Sequence, residues 1–171
     1  MARGPRKLKI SRQQENVVLL AIFCLKYDHS QDRPKKRQVL NYVKLKKLIQ
    51  IREDDLEVVS SGEPSWENDL AWRREDLTTK GEIYMPETGI WQITKEGEIR
   101  LLKWCAILSR FTESRPAWAD HLKILELIFE EKIVITSSTV EFALKAYSKA
   151  YELYPEADFS VPIDLDGKLQ L

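Results

Sequence analysis

Four side chains between residues 65 and 79 have the types and spacing to read base edges in a groove of DNA. They follow one another at intervals of three or four residues, so a helix turning about 100° per residue places them on one side. An amide can pair with adenine, a carboxylate can accept a hydrogen bond from cytosine, and an indole can pack on a thymine methyl group. The four residues are Asn68, Trp72, Glu75 and Thr79.

The aromatic and basic neighbours of these residues are open to more than one interpretation. Trp72 either faces the groove or is buried against the basic second helix or the acidic segment that follows it. Trp91 is more simply explained as the core anchor of a β-hairpin than as a DNA contact. Arg74 flanks the buried side of the helix, from which it reaches either a phosphate or a neighbour of Glu75, and Arg73 is equally ambiguous.

Charge is segregated along the chain although the net charge is zero. Residues 1–50 contain 13 Lys or Arg against 3 Asp or Glu, a net charge of +10 that the remaining residues balance. Clustered cations gain free energy by releasing the counterions condensed on nucleic acid, so this segment predicts a polyanionic partner. The alternative is that these side chains only solvate two helices and a disordered tip.

Candidate contacts to DNA come from a basic arm, the second helix, and the third helix with the hairpin after it. Residues 1–10 are predicted to be a flexible arm that touches mainly the DNA backbone. Side chains near the hairpin tip are candidates for contact with phosphate or sugar. The predicted contact residues are Arg3, Arg6, Lys7, Lys35, Lys36, Arg37, Ser65, Asn68, Trp72, Arg74, Glu75, Thr79, Tyr84 and Thr88.

The pattern of apolar residues and caps predicts helices and one β-hairpin in the first part of the chain. Ser11, Ser65 and Thr94 are expected to cap the first, third and fourth helices. The second helix follows Asp32-Arg33-Pro34 and has a strongly basic outer surface, and an acidic segment, residues 52–64, forms a short helix and an exposed loop. The other helices are predicted at residues 11–27, 65–80 and 95–111, and the hairpin strands at residues 83–85 and 90–93.

Two more helices are predicted after the Arg115-Pro116 break, roughly at residues 117–131 and 139–154. Ser138 and Glu141 have capping-box spacing at the start of the second one. These helices either fold back on the helix before them or form a homodimer interface. The tail from Pro155 is expected to lie along the surface. The predicted domains are a flexible arm, 1–10, a DNA-binding domain, 11–112, and a C-terminal helical extension with an acidic tail, 113–171.

A motif covers the junction between the third helix and the hairpin. The helix carries Trp72 and Leu77 before Gly81, and the hairpin reads Gly89-Ile-Trp91-Gln-Ile93-Thr94-Lys-Glu-Gly97. This combination resembles the N-terminal domain family of Mrr restriction proteins, over about residues 11–100. The resemblance implies a winged-helix domain that presents double-stranded DNA to a nuclease. Arg73, Asp76 and Glu82 depart from the family pattern, so packing beneath the third helix is expected to differ.

The sequence contains no convincing catalytic or metal-binding set. The Mrr nuclease needs an Asp, a Glu or Gln and a Lys held by strands, whereas residues 112–171 have a helical pattern. Glu130-Glu131-Lys132 ends a helical stretch, where solvated charges are the simpler explanation. His29 and His121 are isolated and no Cys-x-x-Cys pair occurs, so neither zinc nor another cofactor is expected. Cys24 and Cys105 are predicted to be buried, reduced thiols.

These observations predict a mainly α protein, a winged helix-turn-helix with a small β-hairpin wing and a C-terminal helical extension. We expect a cytoplasmic, non-catalytic protein that binds double-stranded DNA, in a restriction or defence system or as a phage-related regulator. A nuclease or effector and a second copy of the chain are candidate partners, and no membrane contact is expected. One alternative is an adaptor that binds protein through the winged helix and the aromatic C-terminal helix. A metal-dependent nuclease is a weaker alternative.

Overall fold

The computed structural model of the chain describes residues 11–113 and 134–160. The predicted basic arm, the helix predicted at residues 117–131 and the last residues of the tail lie outside these ranges. Within them, three helices are followed by a β-hairpin, a long helix and a further helical segment. The fold is therefore mainly helical and winged-helix-like, as the sequence predicts.

The secondary structure agrees with the predicted elements in the first part of the chain. A 3-10 turn, Glu53–Leu56, precedes the third helix. The strands β1 (Ile83–Tyr84) and β2 (Gln92–Ile93) pair antiparallel, with Ile83 opposite Ile93. The helices are α1 (Ser11–His29), α2 (Lys36–Leu45), α3 (Ser65–Thr79), α4 (Lys95–Glu113), α5 (Ser137–Tyr147) and α6 (Ala150–Leu153).

Helix α1 lies at the centre of the core. The helices α2, α3, α4 and α5 all pack against it, and every residue from 13 to 25 is buried. The sequence predicts burial of one apolar stripe, whereas the surrounding helices bury the whole circumference, including the polar residues 13–16. Glu15 tolerates burial because Lys80 and Arg100 both bind its carboxylate, each at 2.7 Å.

Two helices, α5 and α6, replace the single helix predicted at residues 139–154. Thr136 caps α5 by accepting a hydrogen bond from the Thr139 amide at 3.2 Å, so the predicted capping box of Ser138 and Glu141 is wrong. The hydroxyl of Ser138 is engaged elsewhere. The interruption comes at Ser148, whose hydroxyl donates to the Lys145 carbonyl at 2.6 Å and competes with the helical pattern.

The N-terminal end of α5 is bonded to the backbone that follows α2. Ser138 donates its hydroxyl hydrogen to the carbonyl of Lys46, and Thr139 donates to the carbonyl of Leu48, each at 2.6 Å. Lys46 follows the last residue of α2, so the Ser138 hydroxyl satisfies a carbonyl that the end of the helix leaves without a helical partner, and Thr139 does the same for a carbonyl of the loop that follows. The described part of the C-terminal extension therefore packs directly on the helices before it, while its division from the DNA-binding domain stays a prediction.

The beginning of the tail lies mostly along the surface, as predicted, but Phe159 enters the core. Phe159 is buried, and its ring meets that of Tyr151 edge-on at 5.4 Å. The hydroxyl of Tyr154 donates to the buried carboxylate of Glu98, which also receives a hydrogen bond from Lys26 at 3.0 Å. The surface prediction is wrong for Phe159, because burial of its aromatic ring outweighs the solvation of a charged tail.

Both cysteines are free and buried, as predicted. Burial raises the pKa of the Cys24 thiol to about 12, and it raises the pKa of Cys105 as well. Since the thiolate is the reactive form, both side chains behave as small apolar core residues.

Candidate DNA interface

Helix α3 has a buried side and an exposed side. On the exposed side, Trp72 is 59% exposed, Glu75 and Thr79 are exposed, and Asn68 is half-buried. The alternative that Trp72 is buried against α2 or the acidic segment is therefore wrong. Contact of these four residues with DNA stays a prediction. The buried residues of α3 are Trp66, Glu67, Leu70 and Leu77.

Ser65 is the first residue of α3 and does not cap it. Pro64 occupies the cap position, where its backbone is extended and its restricted φ of −58° fits the turn into the helix. The amide of Ser65 donates to the carbonyl of Glu57 at 2.8 Å, and Val58 pairs with Pro64 in an isolated bridge. The acidic segment thus fixes the start of α3 through its backbone.

The hairpin is joined to the residues before α2 by a third short stretch of pairing. Lys35 and Ile90 form an antiparallel bridge, and the amide of Trp91 donates to the carbonyl of Pro34 at 2.8 Å. The amide of Lys36 donates to the carbonyl of Gly89 at 3.0 Å. Pro34 consequently lies before α2, which begins at Lys36, and the start of α2 is fixed beside the hairpin.

The motif residues Gly89 and Gly97 are required by the backbone around them. Gly89 has a φ of +86°, which residues with a side chain rarely adopt, and it turns the chain towards Trp91 and β2. A Cβ on Gly97 would collide with the carbonyl oxygen of Glu82. Glycine at the latter position therefore allows α4 to start against the first strand of the hairpin.

The motif residue Thr94 connects the hairpin, α3 and α4. Its hydroxyl accepts a hydrogen bond from the Gly97 amide at 3.1 Å, which confirms the predicted cap of α4. The same hydroxyl donates to the carbonyl of Gly81 at 2.7 Å, just after the end of α3. Trp91 is 2% exposed and Ile93 is also buried, so Trp91 is confirmed as the core anchor of the hairpin.

The far end of the hairpin presents the two side chains predicted to reach phosphate or sugar. Tyr84 is 56% exposed, and Thr88 is exposed in the turn between the strands. Both belong to the same hairpin whose base is fixed beside α3 by Gly81 and Thr94. The structure thus presents the hairpin tip and the outer side of α3 to solvent from one compact unit.

Ion pairs neutralise the basic residues at the start of α2. Arg37 forms two hydrogen bonds with the carboxylate of Glu67, at 2.6 and 3.2 Å, and Lys36 binds Glu63. Hydrogen bonding to Glu67 raises the pKa of Arg37. The sequence presents these cations as a surface without acid, because the acids that bind them lie about 30 residues later. Contact of Lys36 or Arg37 with DNA would require exchanging a carboxylate for a phosphate.

Three exposed lysines at the two ends of α2 have no carboxylate within ion-pairing distance among residues 11–113 and 134–160. Lys35 lies at the start of α2, and Lys44 and Lys47 lie at its end, all three exposed. Lys44 and Lys47 are missing from the contacts predicted by sequence. The sequence shows that Lys44 and Lys47 belong to the basic segment. Only the ion pairs of the structure distinguish these two lysines from Lys36 and Arg37.

The side chain of Arg74 extends from α3 towards the base of the hairpin. Its Nη1 is 3.3 Å from the carboxylate of Glu75, and its guanidinium carbon is 5.9 Å from the centre of the Trp91 ring. Arg73 pairs with Asp76 at 3.4 Å. The sequence leaves open contact with a phosphate or with a neighbour of Glu75, whereas the structure pairs Arg74 with Glu75 itself.

A network of charges lies beneath α3, where the sequence departs from the family pattern. Glu82 is 8% exposed, and burial raises its pKa although Arg100 binds it at 2.9 Å. Burial alone would also raise the pKa of Glu15, but hydrogen bonds from Lys80 and Arg100 lower it below its ordinary value. The network ties α1 and α4 to the residues between α3 and the hairpin.

The described residues hold no group of three or more His, Cys, Asp or Glu placed to bind a metal ion. Glu130 and Glu131, the carboxylates weighed for a nuclease site, lie outside those residues. None of the described helices is long and apolar enough to cross a membrane.

Comparison with known families gives one match. Residues 24–103, from the middle of α1 to the middle of α4, match the model of the Mrr N-terminal domain. This segment is similar to the Mrr N-terminal domain, and the match covers just under half of the chain. The Mrr N-terminal domain match includes α2, α3, the hairpin and the motif glycines, and it stops before α5. No curated protein and no solved structure matches the chain.

Proposed function

We propose that the protein binds double-stranded DNA, with the outer side of α3 in the major groove and the hairpin against the flanking backbone. The observation that carries the proposal is the exposure of Trp72, Glu75 and Thr79 on a helix whose opposite side is buried. A large aromatic side chain that is 59% exposed on a helix fixed at both ends is typical of a binding surface. The match of residues 24–103 to the Mrr N-terminal domain supports DNA as the partner.

The proposed base contacts come from Asn68, Trp72 and Glu75. Asn68 would pair with adenine and Glu75 would accept a hydrogen bond from cytosine, while Trp72 would pack on an apolar base substituent or a sugar edge. Tyr84 and Thr88 at the hairpin tip would contact phosphate or sugar. This division assigns sequence reading to α3 and placement on the duplex to the hairpin.

The proposed phosphate contacts are the exposed lysines at the two ends of α2, which no described carboxylate binds. Lys35, Lys44 and Lys47 are free to exchange solvent counterions for phosphate, so each should add to the salt dependence of binding. Lys36 and Arg37 should add less, because Glu63 and Glu67 already neutralise them.

We further propose that the protein is a non-catalytic recognition component of a restriction or defence system. Residues 24–103 match an N-terminal module of Mrr-type proteins, which supports a role in presenting DNA to a partner such as a nuclease. Incubation of the purified chain with plasmid DNA and magnesium or manganese should leave the plasmid intact. Reproducible nicking abolished by changing Glu130 or Glu131 would contradict this part of the proposal.

The decisive experiment is fluorescence anisotropy of a labelled random-sequence duplex, titrated with protein across a salt series. The logarithm of the binding constant should fall linearly with the logarithm of salt, by about 0.9 for each phosphate contacted. The double variant Lys44→Gln/Lys47→Gln should make that slope shallower by about 1.8. The control Lys95→Gln/Lys103→Gln changes two exposed lysines of α4 and should leave the slope unchanged. Absence of duplex binding at low salt would refute the proposal.

The alternative of a protein-binding adaptor is favoured by exposed apolar residues beside α3. Leu56 is 53% exposed and Val58 is 68% exposed, both in the segment that leads into α3. A protein without affinity for duplex, in which Leu56→Ser/Val58→Ser abolishes capture of a cellular partner, would support the adaptor.

A further inference from the structure

Arg74 occupies a place from which it can control both the hairpin and the reading face of α3. Its guanidinium carbon lies 5.9 Å from the centre of the Trp91 ring, inside the range in which an aromatic face attracts a cation. Trp91 is buried in the base of the hairpin, so this contact joins α3 directly to the hairpin. The Arg74 side chain is only 19% exposed.

The same guanidinium holds a residue proposed to read bases. Nη1 of Arg74 lies 3.3 Å from Oε2 of Glu75, whose side chain is 58% exposed. A free glutamate would lose rotamer entropy on binding and would be repelled by the phosphates of the duplex. A neighbouring cation that is itself fixed on a buried ring reduces both costs, because it orders the carboxylate and offsets its charge.

We propose that Arg74 is a positioning residue, which fixes the hairpin against α3 and orients Glu75 for sequence reading. This rests on the proposed binding of duplex DNA and replaces the prediction that Arg74 contacts phosphate. The extended guanidinium is essential, because the single nitrogen of a lysine ammonium cannot lie within cation–π distance of Trp91 and pair with Glu75 in the same geometry.

Arg73 is the natural control, since it precedes Arg74 on the same helix. It pairs with Asp76 at 3.4 Å and its side chain is 24% exposed, so charge and burial are similar to those of Arg74. Among the described residues, no aromatic ring lies within cation–π distance of Arg73. Differences between variants at the two positions therefore report the contacts of Arg74 with Trp91 and Glu75.

The test uses preferred duplexes selected by the wild-type protein from a pool with a randomised core. Affinity for the selected duplex and for the unselected pool is then measured across a salt series for Arg74→Met, Arg74→Lys and Arg73→Met. We expect Arg74→Met to reduce the preference about tenfold, the size of one lost base contact, with an unchanged salt slope. Arg74→Lys keeps the charge and should also reduce the preference, whereas Arg73→Met should retain it.

Two results would overturn the inference while leaving DNA binding intact. The first is a slope shallower by about 0.9 in Arg74→Met with the preference preserved, which would make Arg74 a phosphate contact. The second is a preference unchanged in both Arg74 variants, or absent from the wild-type protein. If Arg74→Met does not fold, the preference of Arg74→Lys for the selected duplex over the unselected pool decides the test. A wild-type protein that binds no duplex would instead refute the proposed function itself.

Discussion

Helices α1 and α3 belong to the same core but differ in what surrounds them. Other helices enclose α1, so residues 13–25 are buried around its whole circumference. In α3 burial is confined to Trp66, Glu67, Leu70 and Leu77, and Trp72 stands in solvent on the other side. Both helices are fixed at their ends by ion pairs or loops, so exposure of α3 does not reflect loose attachment.

The difference separates residues that make the fold from residues available for binding. A large side chain at residues 13–25 of α1 contributes to stability whichever way it points, because every direction there leads into protein. On α3 the direction of a side chain decides whether it is buried or exposed. Trp66 and Trp72 are six residues apart, and the first is buried while the second is exposed. Substitutions in the two helices should therefore divide cleanly between effects on stability and effects on binding.

The largest effect is expected within α3, from a pair of tryptophan variants. Trp66→Ala should lower the free energy of unfolding by about 3–5 kcal/mol, because it leaves a cavity in the core. Trp72→Ala should cost less than about 1 kcal/mol, since more than half of its side chain is already in water. Urea unfolding of both variants measures the two losses of unfolding free energy. Equal losses would mean that α3 has no distinct exposed side.

A leucine pair tests the enclosure of α1. Leu19 is fully buried in α1, and Leu19→Ala should lower the unfolding free energy by about 2–5 kcal/mol. Leu45 at the end of α2 is 74% exposed, and the same substitution there should change it by less than about 0.5 kcal/mol. A small loss for Leu19→Ala, measured by the same urea unfolding, would contradict the central place of α1.

The exposed side of α3 is predictable from sequence, whereas the enclosure of α1 is not. Spacing about a helix is a local property, and it places Trp72 opposite Leu70 and Leu77. Burial of residues 13–16 depends on partners far along the chain, such as Arg100, which lies 85 residues after Glu15. No periodicity within α1 contains that information.

The charge of α2 and the cap of α5 are two further features that local sequence spacing does not determine. Glu67 neutralises Arg37 from 30 residues away, so the basic pattern of α2 overstates the cations available for DNA. At α5, hydroxyl residues stand at 136, 137, 138 and 139, and local spacing cannot choose among them. The choice of Thr136 as cap leaves the Ser138 hydroxyl free to bond the carbonyl of Lys46.

A smaller effect, dependent on pH, should distinguish the buried carboxylate of α1. The pKa of Glu15 is lowered from 4.5, so its ionised form stabilises the protein fully above that pH and less as pH falls through the lower, folded value. Glu15→Gln should cost about 1–3 kcal/mol near neutral pH and progressively less under acid. The exposed variant Glu156→Gln should follow the wild-type curve. A constant cost of Glu15→Gln from neutral to acid pH would show that Lys80 and Arg100 do not stabilise the carboxylate.

The most direct test of DNA binding through α3 is the affinity of Trp72→Ala for a duplex selected by the wild-type protein. Because this substitution should leave the fold intact, any change in affinity reports the loss of a contact. We predict that affinity for the selected duplex falls at least about tenfold, the size of a good base contact, while the thermal unfolding midpoint stays close to that of the wild-type protein. An unchanged affinity, or a loss of affinity that only follows unfolding of the domain, would contradict the assignment of the reading face to the exposed side of α3.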